Sequence, residues 1–322
     1  MSEVNNLIEQ IKNAEKICIC THVNPDGDTL GSAIALRLFI EEHFGKKARV
    51  FHTSTLPKVY SFLPKYEEIE FVNSENNNEI FDLAIAVDIA SIDRFAEAMP
   101  IYNNAKFRVN VDHHKTNKGY GDLNIIEGDV CAVGLILCKI FNEINYTVSK
   151  DIAVALYTSI MTDTGAFKYE NTTPECLRAA AQLVEAGASP NGIYRLCYES
   201  KPVNMLKFQT HILNKAKFYC NDKISLTFVT KEDMDKFNAT DDFTEGIVEV
   251  LRTAKSVEVS AILKETKDGF TKVSLRSKTV NLLPIIEDFG GGGHIFSAGC
   301  TIKKPVSIAY DKLLEKLTNA IG

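Results

Sequence analysis

Four short blocks of this 322-residue chain concentrate residue types that ligate metal ions. The first, His22-Val23-Asn24-Pro25-Asp26-Gly27-Asp28, sets one imidazole and two carboxylates close together, and Pro25 and Gly27 bend the chain so that they can converge on a hard or borderline divalent cation. The same segment also reads as a helix entry, with Asp26 or Asp28 as N-cap of a helix beginning near Thr29. The second block is Asp88, which closes the apolar run Leu83-Ala84-Ile85-Ala86-Val87. Open α/β sheets hold their ligands at the carboxyl ends of strands, although an aspartate there is also an ordinary turn former. The third, Asp112-His113-His114, closes the run 107–111. Neighbouring residues point in different directions, so one histidine is expected to ligate with the aspartate orienting it, and the other to face the substrate. The fourth, Met161-Thr162-Asp163-Thr164-Gly165, ends a helical pattern, where a carboxylate sits badly with the negative end of the helix dipole unless a cation is near. With Asp112 and the substrate-facing histidine set aside, the blocks offer two imidazoles and four carboxylates as ligands. Six such groups exceed what one ion takes from a protein and suit two ions sharing a carboxylate. Such ions, about 3.5–4 Å apart, activate a water and neutralise the attacking and leaving oxygens of a phosphoryl group.

Later in the chain, Gly290-Gly291-Gly292-Gly293-His294 can bring backbone N–H groups close to an anion, with His294 at the rim; its plain alternative is a flexible linker. Arg276, followed by Ser277, either grips a phosphate with its planar fork or stands outward on a strand in an ion pair.

The elements that must carry these residues follow from hydrophobic periodicity. Residues 16–21, 48–52, 83–87 and 107–111 read as strands. Helices are expected after Thr29, with Leu30, Ile34 and Leu38 on one face, and over 130–142, 150–161 and 174–186. That alternation predicts an α/β fold with a doubly wound parallel sheet. The stretch 187–200 reads as a boundary and 202–218 as a bridging helix. Strands at 224–230, 257–264 and 270–277 and a terminal helix then predict a smaller α/β domain. The expected division is a metal-binding domain over 1–188, a helical linker over 189–218 and a substrate-binding domain over 219–322.

Composition narrows the function classes. A formal net charge of −6 disfavours sequence-independent grip on long nucleic acid, which draws on many Lys/Arg–phosphate contacts, but not a short anionic substrate. No apolar run approaches the roughly 18–20 residues of a membrane span, and the polar N-terminus does not read as a signal peptide, so a cytoplasmic location is expected. The eight cysteines are dispersed without a CxxC pair and read as small hydrophobes; Cys18 and Cys20 share one side of a strand. No GxGxxG follows the first strand, which argues against a nicotinamide enzyme.

In this order the blocks resemble the DHH phosphoesterase family. His22–Asp28 with Thr29-Leu30-Gly31-Ser32 looks like its first motif, Ala86-Val87-Asp88 with Arg94 its second, Val111-Asp112-His113-His114 its third, and Asp163-Thr164-Gly165-Ala166-Phe167 its fourth. Gly291–His294 through Ala298-Gly299 resembles the DHHA1 signature. The resemblance implies an active site in the cleft between a DHH and a DHHA1 domain. It implies that His22, Asp26 and Asp88 hold one ion and that Asp28, Asp88, His113 and Asp163 hold a second, with Asp88 bridging. The ions implied are two Mn²⁺, with Co²⁺ or Mg²⁺ as possible substitutes. His114 would position phosphate and water, with Asp112 behind it, and Arg94, Arg276, Ser277 and Gly291, Gly292, Gly293 and His294 would bind substrate. Ser159 stands where glycine is common and Ser297 where alanine is common, and neither is expected to touch a ligand. Within the family the chain is most similar to stand-alone bacterial enzymes that degrade oligoribonucleotides of a few residues and dephosphorylate 3′-phosphoadenosine 5′-phosphate. The expected partners are therefore short RNA oligonucleotides or small nucleotides, not long nucleic acid or membrane, with the chain a monomer or homodimer. The alternatives are cleavage of cyclic di-AMP or of the linear dinucleotides pApA and pGpG, and a non-catalytic nucleotide-binding protein.

Overall fold

The run Ile17–Cys20 forms a strand, β1, whose four side chains are all buried, as suits the middle of a parallel sheet covered on both faces. In the computed structural model, which describes residues 2–321, it is joined by β2 (Ala48–His52), β3 (Glu70–Phe71), β4 (Leu83–Val87), β5 (Phe107–Asp112) and β6 (Leu123–Ile126). All pairings are parallel and the strand order is β3-β2-β1-β4-β5-β6, so the order reverses direction between β1 and β4. Ile17 and Ile19 face a core built with α1 (Glu3–Asn13), α2 (Gly27–Phe44), α4 (Val133–Glu143), α5 (Lys150–Asp163), α6 (Pro174–Glu185) and α7 (Pro190–Tyr198). Cys18 and Cys20 face the opposite core, beneath α3 (Met99–Asn103) and the preceding 3₁₀ turns, so both are structural as expected.

The α2 helix is not the amphipathic element that Leu30, Ile34 and Leu38 suggest: every residue from Gly27 to Ile40 is buried. It lies in the core between the sheet and two other helices. Gly31 makes this possible, because a Cβ there would collide with the Ala155 carbonyl of α5. This close approach brings the C-terminal end of α5, and Asp163 with it, beside the N-terminus of α2.

The chain divides into two units, Met1–Ser200 and Lys201–Gly322. The stretch read as a boundary contains α7, started by Ser189, whose hydroxyl accepts from Gly192 N–H, with Pro190 in the first turn. The second unit opens with α8 (Val203–Asn214), shorter than expected because the chain turns into β7 (Lys217–Tyr219). It continues through β8 (Ile224–Val229), α9 (Lys231–Lys236), α10 (Ile247–Arg252), β9 (Val259–Glu265), β10 (Thr271–Ser277), α11 (Leu283–Glu287), β11 (Gly292–His294), β12 (Ser297–Ile302) and α12 (Val306–Ile321). Its strand order is β11-β12-β10-β9-β8-β7, antiparallel except for β8–β9. Here α11 and α12 cover one face and α8 and α10 cover part of the other.

Candidate active site

The switch in strand order between β1 and β4 opens a crevice at the carboxyl edge of the first sheet, where such folds bind ligands, and the first three blocks meet there. Asp26 caps α2, its Oδ1 accepting from Asp28 N (3.0 Å) and Thr29 N (3.1 Å). The helix-entry reading of the segment holds, and the same residue also groups with His22 and Asp88 in an arrangement that could hold an ion. Asp28 is buried in the first turn of α2, where the dipole favours an anion. Its Oδ1 accepts from Ser32 Oγ (3.0 Å) and Ser159 Oγ (2.6 Å), and its Oδ2 from Val133 N (2.9 Å). Asp88 leaves β4 with φ at 60°, a left-handed strain of the kind retained at ligand sites.

Asp88 lies between two imidazoles. Its Oδ2 is 3.5 Å from His22 Nε2, and its Oδ1 is 3.5 Å from His113 Nε2. His113 Nε2 is also 3.6 Å from Asp28 Oδ2 and 3.8 Å from Asp163 Oδ2. Three overlapping groups result: His22, Asp26 and Asp88; Asp28, His113 and Asp163; and Asp88, His113 and His114. These separations are long for hydrogen bonds. They lie at or just above the roughly 3–3.5 Å between donors that each stand about 2.0–2.2 Å from one ion. Oδ1 of Asp88 is buried with no hydrogen-bond partner among the described residues, while Oδ2 accepts from Thr29 Oγ1 at 2.6 Å.

The electrostatics ask for positive charge. Burial, then Asp88 and Asp163, push the Asp28 carboxyl well up. Burial also pushes Asp163 up to about 6, with Asp88 and Asp26 adding to it. Burial disfavours a charged His113 ring, yet Asp88, Asp28 and Asp163 hold it up at about 10. Asp88 itself is held low, since His113 and His22 outweigh the effect of its burial. Buried carboxylates this close together are costly unless cations compensate them. An all-oxygen-and-imidazole donor set without thiolate suits hard or borderline divalent ions, so the residues present fit metal.

The third block divides its labour differently from the residue-level expectation. Asp112 is fully buried, and its Oδ1 meets His114 Nδ1 at 2.8 Å, so its side chain orients His114 rather than His113. Asn117, unforeseen in the sequence, donates to Asp112 Oδ2 (2.6 Å) and to the Ile89 carbonyl (3.1 Å) and so fixes that carboxylate. Arg94 lies in the same unit with Nη2 at 2.9 Å from His22 Nδ1, against the ring. The expectation that Ser159 touches no ligand is corrected by its 2.6 Å bond to Asp28. It sits four residues before Asp163 on α5, one turn away on the same helical face, which is the signal that could have found it.

In the second unit Arg276 and His294 flank Ser297 on adjacent strands, and Gly292 pairs with Gly299. The glycine run is neither linker nor free loop: Gly292–His294 is strand β11, and a Cβ at Gly291 would meet Cys300 and the Gly299 carbonyl. A Cβ at Gly292 would meet nothing within 4 Å, so this backbone is open to approach. Arg276 Nε donates to Glu249 Oε1 at 2.9 Å, the ion pair that its strand position allowed. Ser277 alternates to the buried face, where its hydroxyl accepts from Val280 N at 2.8 Å; this structure gives it a turn to hold rather than a substrate to face.

The two units match separate family models. Residues 16–160 match the DHH family, N-terminal domain, and residues 221–322 match the DHHA1 domain. The bifunctional oligoribonuclease and PAP phosphatase NrnA of Thermus thermophilus is 31% identical over 93% of this chain and 88% of its own length. This chain belongs to the DHH–DHHA1 family. As a DHH phosphoesterase it is a metal-dependent hydrolase acting on phosphate ester bonds. The protein of the same name from Bacillus subtilis is 26% identical over 92% of each chain. An exopolyphosphatase-related protein from Bacteroides fragilis shares the fold, with a TM-score of 0.91 and 24% identity over 98% of this chain and 96% of that one. Among the described residues no helix is long and apolar enough to cross a membrane.

Proposed function

We propose that the DHH unit is a manganese-dependent, two-metal phosphodiesterase and phosphatase that hydrolyses oligoribonucleotides of a few residues and removes phosphate from 3′-phosphoadenosine 5′-phosphate. The observation that carries this reading is Asp88, whose two oxygens face different histidines, one of these oxygens having no hydrogen bond among the described residues. His22, Asp26 and Asp88 would hold one ion, and Asp28, Asp88, His113 and Asp163 the other. When bound, such a pair supplies Lewis-acid neutralisation of the phosphoryl oxygens and makes water a stronger nucleophile. His114, held through Nδ1 by Asp112, presents its other ring nitrogen away from that carboxylate and would move a proton or steady a phosphoryl oxygen there. Asn117 keeps this pair aligned. In the second unit, taken by itself, Arg276, His294 and the open Gly292 backbone would bind phosphate, with Arg276 giving up part of its pairing to Glu249.

The relatives support the substrate class, since their names give oligoribonuclease and PAP phosphatase activity and they align over most of their length. The test is a panel of RNAs from two to twenty nucleotides, 3′-phosphoadenosine 5′-phosphate and cyclic di-AMP, assayed with manganese. Turnover of the shortest RNAs and of the bisphosphate is expected. Tight nucleotide binding with no hydrolysis of any member would replace this reading with a non-catalytic one.

A further inference from the structure

Three tyrosines of the first unit remain unused by the core. Tyr169, Tyr194 and Tyr198 keep 52%, 40% and 37% of their surface exposed. Scattered exposed rings need no explanation, but the Tyr169 ring is anchored just past the carboxylate that ends α5. Past Asp163 the chain takes three successive left-handed residues, Gly165, Ala166 and Phe167, with φ of 56°, 60° and 63°. Such a run is strained for residues other than glycine and persists only where the surroundings hold it. It turns the chain back so that Tyr169 N donates to the Thr164 carbonyl at 3.1 Å. The Tyr169 ring then lies directly on Gly165, where a Cβ would collide with it. Asn171 pins the turn, donating to the carbonyls of Asp163 (3.1 Å) and Cys131 (3.4 Å).

The α7 helix packs against α5 and brings in the other two rings. Tyr194 and Tyr198 are one helical turn apart, with centroids separated by 5.1 Å and planes tilted by 46°. Burial pushes the Tyr198 phenol up to about 12, and the neighbours that add to this are Cys197, Tyr169, Tyr194 and Asp163.

We propose that Tyr169 forms a stacking platform for the nucleobase of a nucleotide whose phosphate lies at the Asp163 side of the carboxylate–histidine cluster. The proposal rests on the nucleotide-hydrolase reading above and names how that site recognises its substrate. Aromatic rings beside a phosphate-acting centre suit a base because every base has a π-face, so stacking binds without selecting sequence. A chain of net charge −6 facing a substrate with few phosphates gains little from counterion release. Ring stacking supplies the affinity that a long basic track would otherwise provide.

The test is calorimetric titration of adenosine 5′-monophosphate and of ribose 5-phosphate into the manganese-loaded full chain, as wild type, Tyr169→Ala and Tyr169→Phe. Wild type and Tyr169→Phe should bind the nucleotide about tenfold more tightly than the sugar phosphate. Tyr169→Ala should lose that preference while binding ribose 5-phosphate as before, which also shows that the variant is folded. The platform is overturned if wild type shows no preference for the base-bearing ligand. It is equally overturned if Tyr169→Ala keeps the preference, or weakens both ligands alike. Hydrolysis of the dinucleotide is scored separately. Lost turnover with an intact base preference sinks the hydrolase reading, whereas turnover with a base preference indifferent to Tyr169 sinks only the platform.

Discussion

An aspartate with one oxygen accepting from a threonine hydroxyl and the other without a hydrogen-bond partner among the described residues is expensive to bury, and Asp88 is buried almost completely. Its neighbours explain why it is retained: His22 and His113 reach it from opposite sides at 3.5 Å. Asp88→Asn keeps the size and an acceptor for Thr29 but removes the charge. Steady-state kinetics with manganese should show a loss of turnover on the order of 10³-fold, as expected when several kcal/mol of charge stabilisation disappear. Near-normal turnover would remove Asp88 from its assigned place. Ser159 acts one step further out, through its 2.6 Å bond to Asp28. Ser159→Ala should weaken manganese binding about 10-fold to 100-fold, the usual cost of losing a partner that orients a ligand. Isothermal titration that finds unchanged affinity would show that Gly134 N, Val133 N and Ser32 hold Asp28 without it.

Elements bring these residues together across long stretches of sequence. Gly31 lets α2 touch the α5 backbone, so Gly31→Val should separate Asp28 from Asp163 as well as strain the core. A loss of about 1–3 kcal/mol in stability is expected from overpacking, with manganese affinity falling in the same variant. Denaturant unfolding and metal titration would check the two effects. In the second unit Asp233 closes the capping box of α9 and meets Lys215 Nζ at 2.5 Å and His211 Nε2 at 2.8 Å. Burial would raise its carboxyl, but Lys215 and the Thr230 bonds outweigh this and hold it below its usual range. A depressed folded value means that the stabilisation is complete above the ordinary pKa of about 3.9 and drains away as the pH falls below it. Asp233→Ala should therefore cost about 2–4 kcal/mol at neutral pH and much less in acid, read from urea melts at both. Strand 83–87 was legible because its apolar run is short, continuous and bounded by Asp82 and Asp88. The metal-ligating types stood out because so many fell at the carboxyl ends of strands. What periodicity could not show was contact at a distance: Ser159 on Asp28, Glu249 on Arg276, or the pairing that makes Gly292–His294 a strand. The α7 helix was legible in principle, since Ser189-Pro190 is a helix-start signal, but the neighbouring Gly187 and Gly192 masked it.

At the scale of the whole molecule, net charge and site chemistry point the same way. A chain of net charge −6 with a compact cluster for cations is suited to substrates carrying one or two phosphates. The salt dependence of KM for a dinucleotide should then be shallow, changing by less than about tenfold between 50 and 200 mM salt, against the roughly 10³–10⁵-fold of a protein that makes six to ten phosphate contacts. A steep dependence would reveal an extended basic track. The most direct test of the two-cation account is manganese titration of metal-stripped protein, with bound ions counted by native mass spectrometry and dinucleotide hydrolysis followed in the same samples. Two ions per chain are predicted, with hydrolysis appearing as the second binds and with Asp88→Asn failing to hold both. Full activity with a single ion, or activity that survives chelation, would contradict it.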